Sequence, residues 1–210
     1  MQWIENGEAE VSFVCSKEKK NVFLIGDSIR RGYCKIVKEK LFDVAEVYYP
    51  EDNCRNTQHV ITRLKKWSGM IDDLSKIDLV QFNCGQWDTA HWNEHALSLT
   101  SESEYKRNIK IIIDLLKQFF PNAKIIFATT TPMNPLYGAK GCINPRSNEE
   151  ITRYNELALN VCDAENITTI DYNAYMRDWG AELFNDWCHL TNEGFTLLGE
   201  EVARNLRKFL

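Results

Sequence analysis

Asn21-Val22-Phe23-Leu24-Ile25-Gly26-Asp27-Ser28-Ile29 is the stretch that decides the fold. Its first five residues form a short apolar run that stops at a glycine, the pattern of a buried strand. Residues 29–40 then read as helix. A strand that passes through Gly-Asp-Ser directly into a helix opens a βα unit, and βα units imply a parallel sheet.

The same alternation continues outward. Val44 to Tyr49 reads as a second strand, followed from Thr57 by Val60, Ile61, Leu64 and Trp67 at helical spacing. Ile77 to Phe82 reads as a third strand. Residues 102–120 form a long helix, with Ile109, Ile112, Ile113, Leu116 and Phe119 on one side and Pro121 beyond its end. Lys124 to Ala128 and Ile167 to Ile170 are the fourth and fifth strands, 147–164 and 192–209 the remaining helices. Right-handed crossovers place helices on both faces. The expected architecture is α/β, a three-layer α/β/α sandwich with a central parallel sheet of about five strands, flavodoxin-like. Residues 1–210 read as one domain, with 1–20 as an N-terminal extension in which Val11 to Cys15 is a candidate edge strand. The loop 131–147 is the longest irregular stretch and follows strand four, on the rim where such sheets bind ligands.

Bulk composition narrows the partners. The 210 residues carry a net charge of −5, 44% hydrophobic and 26% charged residues, an ordinary globular balance. The acidic net charge argues against nucleic acid or an anionic membrane. The N-terminus has acids where a signal peptide needs a basic region, and no apolar stretch approaches the roughly 20 residues of a membrane span. This reading places the protein in the cytoplasm. Seven cysteines at 15, 34, 54, 84, 142, 162 and 188 include no C-x-x-C pair, so they read as reduced, mostly buried thiols.

Three strand ends carry polar residues: Gly26-Asp27-Ser28, then Asn83-Cys84-Gly85-Gln86-Trp87-Asp88, and, before the last helix, Asp186-Trp187-Cys188-His189. In a parallel sheet these share one rim. The three-residue spacing lets Asp186 accept the Nδ1–H of His189, leaving Nε2 to take a proton from a serine. Ser28 reads either as a helix N-cap or as a nucleophile whose helix end stabilises an oxyanion. Of Arg30 and Arg31, at least one reads as a solvated helix residue, and the other as a candidate to bind an acidic acyl or sugar group. No G-x-S-x-G elbow is present, which argues against a lipase-type α/β-hydrolase.

Gly26-Asp27-Ser28-Ile29, the Gly85 to Asp88 block and D-x-x-H before the last helix together resemble the SGNH/GDSL hydrolase superfamily. Thr129-Thr130-Thr131-Pro132, Asn148 and Tyr154-Asn155 are similar to that family too. The resemblance covers about residues 21 to 205. It implies Ser28 as nucleophile, His189 as general base and acid, Asp186 as its orienting carboxylate, and no cofactor. The Ser28 N–H corresponds to one oxyanion donor. The family's glycine donor after strand two is missing, leaving the N–H of Cys54 or Arg55. The family's Gly-x-Asn-Asp reads Gly85-Gln86-Trp87-Asp88, so Trp87 stands at the Asn position. Asn83, then Gln86, are the candidate replacements. Asp27, Trp87 and Trp187 are candidate substrate-side residues, Asp27 by holding the loop around Ser28.

The resulting expectation is a serine ester hydrolase cleaving a small acyl ester, with acetyl on a carbohydrate as the favoured substrate and an oligomer left open. The altered Gly85 block keeps a second reading alive, a weak or inactive binding protein on the same fold. A third is a zinc peptidase, because His91-Trp92-Asn93-Glu94-His95 matches H-x-x-E-H. Two histidines at i and i+4 of a helix share a face and bind zinc, but this segment lacks an apolar stripe and a downstream ligand helix.

Overall fold

The computed structural model describes residues 11–136 and 143–210. Five strands form one sheet: β1 (Lys20–Ile25), β2 (Ala45–Tyr48), β3 (Leu79–Phe82), β4 (Lys124–Ala128) and β5 (Thr168–Ile170), in the order β2-β1-β3-β4-β5. Every pairing is parallel. The helices are α1 (Ser28–Lys40), α2 (Thr57–Ser68), α3 (Glu102–Phe119), α4 (Asn148–Ala164), the short α5 (Tyr172–Met176) and α6 (Asn192–Arg207).

Alternate residues of β1 build two cores. Phe23 and Ile25 face α2, α3 and α4 with Val60, Leu64, Ile109, Ile112 and Leu116. Val22 and Leu24 face α1 and α6 with Ile29, Val37, Leu198 and Val202. A strand buried on both sides needs the unbroken apolar run seen in its sequence. The three-layer α/β/α expectation therefore holds, with the flavodoxin-like strand order. That order reverses direction at β1, and the crevice beyond the β1 and β3 ends is where such sheets bind ligands. Ser28 stands there.

Local signals explain the boundaries. Ser101 and Glu104 close a capping box that starts α3. The third strand is shorter than its apolar pattern, because Asp78 turns its carboxylate onto the Asn21 N–H at 2.8 Å. Val11 to Cys15 does not extend the sheet; Phe13 makes a single parallel bridge to Ile71. Part of the 131–147 loop, residues 137–142, and Cys142 with it, lies outside the described residues. The six described cysteines are buried free thiols. Among the described residues no helix is long and apolar enough to cross a membrane.

Candidate active site

Ser28 is the first residue of α1 and is partly exposed. Asp27 caps the helix, its carboxylate accepting the Ile29 N–H at 2.9 Å. Gly26 must be glycine: a Cβ there would lie 2.0 Å from Asn83 Oδ1. The Ser28 N–H belongs to the first turn, whose donors have no helical acceptor, at the positive end of the helix.

The structure brings Ser28, Asp186 and His189 together. His189 Nε2 lies 2.8 Å from Ser28 Oγ, and His189 Nδ1 lies 2.7 Å from Asp186 Oδ2. Asp186 Oδ1 accepts the backbone N–H groups of Cys188 and His189 at 2.8 and 2.7 Å. The carboxylate thus closes its own turn with one oxygen and orients the ring with the other. Burial pushes the Asp186 carboxyl up, but these two N–H groups and the imidazole outweigh it, and its pKa falls below the ordinary carboxylate value. Asp186 stays ionised, the state a triad requires. Cys188 Sγ approaches Nδ1 at 3.8 Å, a much weaker contact than the carboxylate.

The oxyanion candidates differ in what they have free. The Cys54 N–H donates to the Gly26 carbonyl at 3.1 Å, so it ties the loop after β2 to β1 and presents no free donor. The Arg55 N–H, at a left-handed φ of 51°, is held by Asn53 Oδ1 at 3.0 Å. Gln86 Nε2 donates to the Thr131 carbonyl at 2.8 Å, while its buried Oε1 has no hydrogen-bond partner among the described residues. Asn83 Nδ2 donates one hydrogen to Asp27 Oδ2 at 3.3 Å. An amide nitrogen carries two hydrogens, so Asn83 retains one, while its Oδ1 faces Gly26.

Five further residues hold this site in place, of which only Asn134 carries no signal in the sequence. Arg30 is fully buried, not solvated, and donates to the carbonyls of Gly26, Pro50 and Asp52. Asp88 accepts the Thr57 N–H and hydroxyl at the start of α2, and burial raises its carboxyl to about 6. Asn155 grips Thr130 by both N–H and carbonyl, and Asn148 grips Met133 the same way. Seven residues apart, the two amides lie on one face of α4. Asn134 continues the chain of contacts, donating its N–H to the Trp187 carbonyl and its amide to the Asp186 carbonyl. Asn148 and Asn155, which the resemblance points out, carry this clamp; of the two arginines after Ser28, Arg31 is the solvated one and Arg30 the buried one.

Of the substrate-side candidates, Asp27 is completely buried and cannot touch a substrate; its carboxyl is pushed up by burial, against the Ile29 N–H and the charges of Arg30 and Arg146. Trp187 packs on Met133, Ile151 and Cys188. Trp87 lies against Trp92, ring centroids 5.7 Å apart, with the Arg55 guanidinium 5.8 Å above it.

The H-x-x-E-H segment is not an α-helix. Asn93 and Glu94 are left-handed, at φ 55° and 57°, within a single 3₁₀ turn. His91 turns Nδ1 to the His95 carbonyl and Nε2 to Glu150 Oε2, so the two rings do not share a helix face. Among the described residues, the one His/Cys/Asp/Glu grouping with metal-ligand spacing is Asp186, Cys188 and His189, which the hydrogen bonds above already join.

No family model matches the chain. GDSL esterase/lipase WDL1 of Oryza sativa subsp. japonica is 29% identical over 113 residues, covering 50% of this chain and 44% of the relative. A GDSL esterase/lipase of Arabidopsis thaliana is 31% identical over 113 residues, covering 50% and 36%. Over half its length the chain is similar to these GDSL esterase/lipases. The matched segment spans less than half the length of these curated relatives. Several solved structures share the fold across nearly the whole chain. A lipase/acylhydrolase from Enterococcus faecalis superposes with a TM-score of 0.69 at 21% identity, covering 90% of this chain and 96% of that one. An acetyl xylan esterase gives 0.68 at 21%, covering 88% and 98%. Est24, a carbohydrate acetylesterase from Sinorhizobium meliloti, gives 0.69 at 14%, covering 91% and 100%.

Proposed function

We propose that this chain is a serine ester hydrolase acting through an acyl-enzyme on Ser28. The observation that carries the reading is the continuous Ser28–His189–Asp186 hydrogen-bond chain, at 2.8 and 2.7 Å. Ser28 Oγ attacks the ester carbonyl while His189 Nε2 takes its proton. Asp186 holds the ring with Nδ1–H toward itself and stabilises the imidazolium. The tetrahedral oxyanion meets the Ser28 N–H and the remaining N–H of Asn83 at the positive end of α1. His189 then protonates the leaving alcohol, and water, deprotonated by the same ring, releases the acid.

The substrate we propose is a small acyl ester, acetyl on a carbohydrate. Two supports favour it: fold neighbours solved as an acetyl xylan esterase and a carbohydrate acetylesterase, and the Trp87–Trp92 pair, whose faces suit a sugar ring. A substrate panel in which long-chain acyl esters outperform acetylated sugars overturns this choice.

The test of the chemistry is p-nitrophenyl acetate hydrolysis by the wild type, Ser28→Ala and His189→Ala, with and without EDTA. The reading expects both variants to lose several orders of magnitude in kcat, as triad knockouts do, and EDTA to change nothing. An inert wild type favours instead the binding-protein reading, which the partnered Cys54, Arg55 and Gln86 donors keep open.

A further inference from the structure

A groove of about 280 Å³ lies between the start of α2 and the segment after β3, lined by Arg55, Asn56, His59, Trp87, Trp92 and Leu99. We infer that it is the alcohol-side subsite of the proposed esterase and takes a pyranose ring that carries a carboxylate. The inference rests on the esterase reading for its role and on the groove itself for its ligand.

Position is the first argument. The loop that carries Arg55 is bound to the nucleophile's own strand end, through Cys54 N–H to Gly26 O at 3.1 Å and through Arg30 to the Asp52 carbonyl. Trp87 lies in the turn that follows the end of the neighbouring strand β3. The groove therefore opens on the rim that holds Ser28, on the β2 side. Its volume is at the small end of ligand sites, room for one ring rather than an acyl chain.

The lining gives the ligand's shape. Trp87 and Trp92 meet at 36°, leaving partly exposed indole faces against which the C–H face of a sugar packs.

Charge gives its chemistry. No acid lines the groove, although the chain's net charge is −5. Arg55 lies over Trp87 and, among the described residues, its guanidinium makes no ion pair or hydrogen bond. By contrast Arg153, Arg204 and Arg207 pair with Glu102, Glu201 and Asp43. Asp52, the acid in the adjoining loop, is engaged by Trp67 Nε1 at 3.1 Å. Arg63 adds a second positive charge near His59, whose pKa is lowered by burial and then by Arg55 and Arg63. A planar guanidinium matches a carboxylate fork to fork. A phosphate is a poorer match. It favours free N–H groups at a helix start, and in α2 the N–H groups of Thr57 and His59 already donate to Asp88 and Asn56.

The experiment is isothermal titration calorimetry of the intact chain with methyl glucuronide and methyl glucoside, ligands with no ester to cleave. The wild type is expected to bind the glucuronide at least tenfold more tightly. Arg55→Gln removes that preference, and Trp92→Ala weakens both ligands about tenfold. Circular dichroism on each variant confirms folding, and Arg55→Lys, which keeps charge without the fork, recovers only part of the preference. Equal affinities, no binding, or a preference that survives Arg55→Gln overturns the inference. Because binding is read without turnover, a glucuronide preference in a protein inert to p-nitrophenyl acetate leaves the subsite standing and the esterase reading fallen. Ester hydrolysis without the preference does the reverse.

Discussion

Asn83 donates its side-chain amide to Asp27 at 3.3 Å, and both residues flank the glycine that precedes Ser28. In the proposed mechanism the buried carboxylate of Asp27 thereby aims the amide that takes the place of the family's asparagine. Asn83→Ala is expected to lower kcat for p-nitrophenyl acetate about 10²–10³-fold, the usual loss for one oxyanion donor, with KM little changed. A rate within threefold of wild type would transfer the donor role to another residue.

Arg30 is the clamp between β1 and the loop after β2. Arg30→Met leaves the carbonyls of Pro50 and Asp52 without their buried N–H donor, while the Gly26 carbonyl keeps the Cys54 N–H. Each unsatisfied group costs about 1–3 kcal/mol, so urea denaturation is expected to show a loss of roughly 2 kcal/mol or more for the two carbonyls. Arg30→Lys recovers little, since an ammonium cannot span three carbonyls as a guanidinium does. A loss below 1 kcal/mol contradicts the clamp.

Asp88 gives a signed pH dependence. Its folded pKa, about 6, lies above its ordinary value of 3.8 because of burial. The folded state thus holds this proton more tightly than the unfolded chain does. Its stabilising contribution is complete below pH 3.8 and is lost as pH rises through 6. Two units correspond to roughly 3 kcal/mol at most. Asp88→Asn, which cannot ionise, is expected to gain on the wild type in Tm between pH 4 and pH 7. A Tm difference that stays constant over that range contradicts the shift.

Asn155 and Asn148 hold the loop after β4, which contacts the turn of the proposed triad through Asn134. Asn155→Leu orphans the buried N–H and carbonyl of Thr130. Hydrogen exchange over residues 129–134 is expected to accelerate, and kcat to fall about tenfold, while the α1 amides keep their protection. Unchanged exchange in that segment rules the clamp out.

Much of this was readable in the residues themselves. β1 shows its burial on both faces as an unbroken apolar run, and the D-x-x-H spacing announces the Asp186–His189 turn. What stayed hidden depends on contacts distant in sequence. Arg30 looks like a surface helix residue until Pro50 and Asp52, twenty residues away, supply its acceptors. The Cys54 N–H looked available until its acceptor, Gly26 O, was in place. The five-residue helix α5 is too short for periodicity to register. H-x-x-E-H matched a helix motif, but left-handed Asn93 and Glu94 break the geometry that gives the motif its meaning.

The central claim is that His189 activates Ser28. Fluorophosphonate labelling followed by peptide mass spectrometry tests it directly, since only an activated serine reacts. The account predicts a single adduct on Ser28 in the wild type and none in His189→Ala. An adduct on another serine, or Ser28 labelled equally in both proteins, contradicts it.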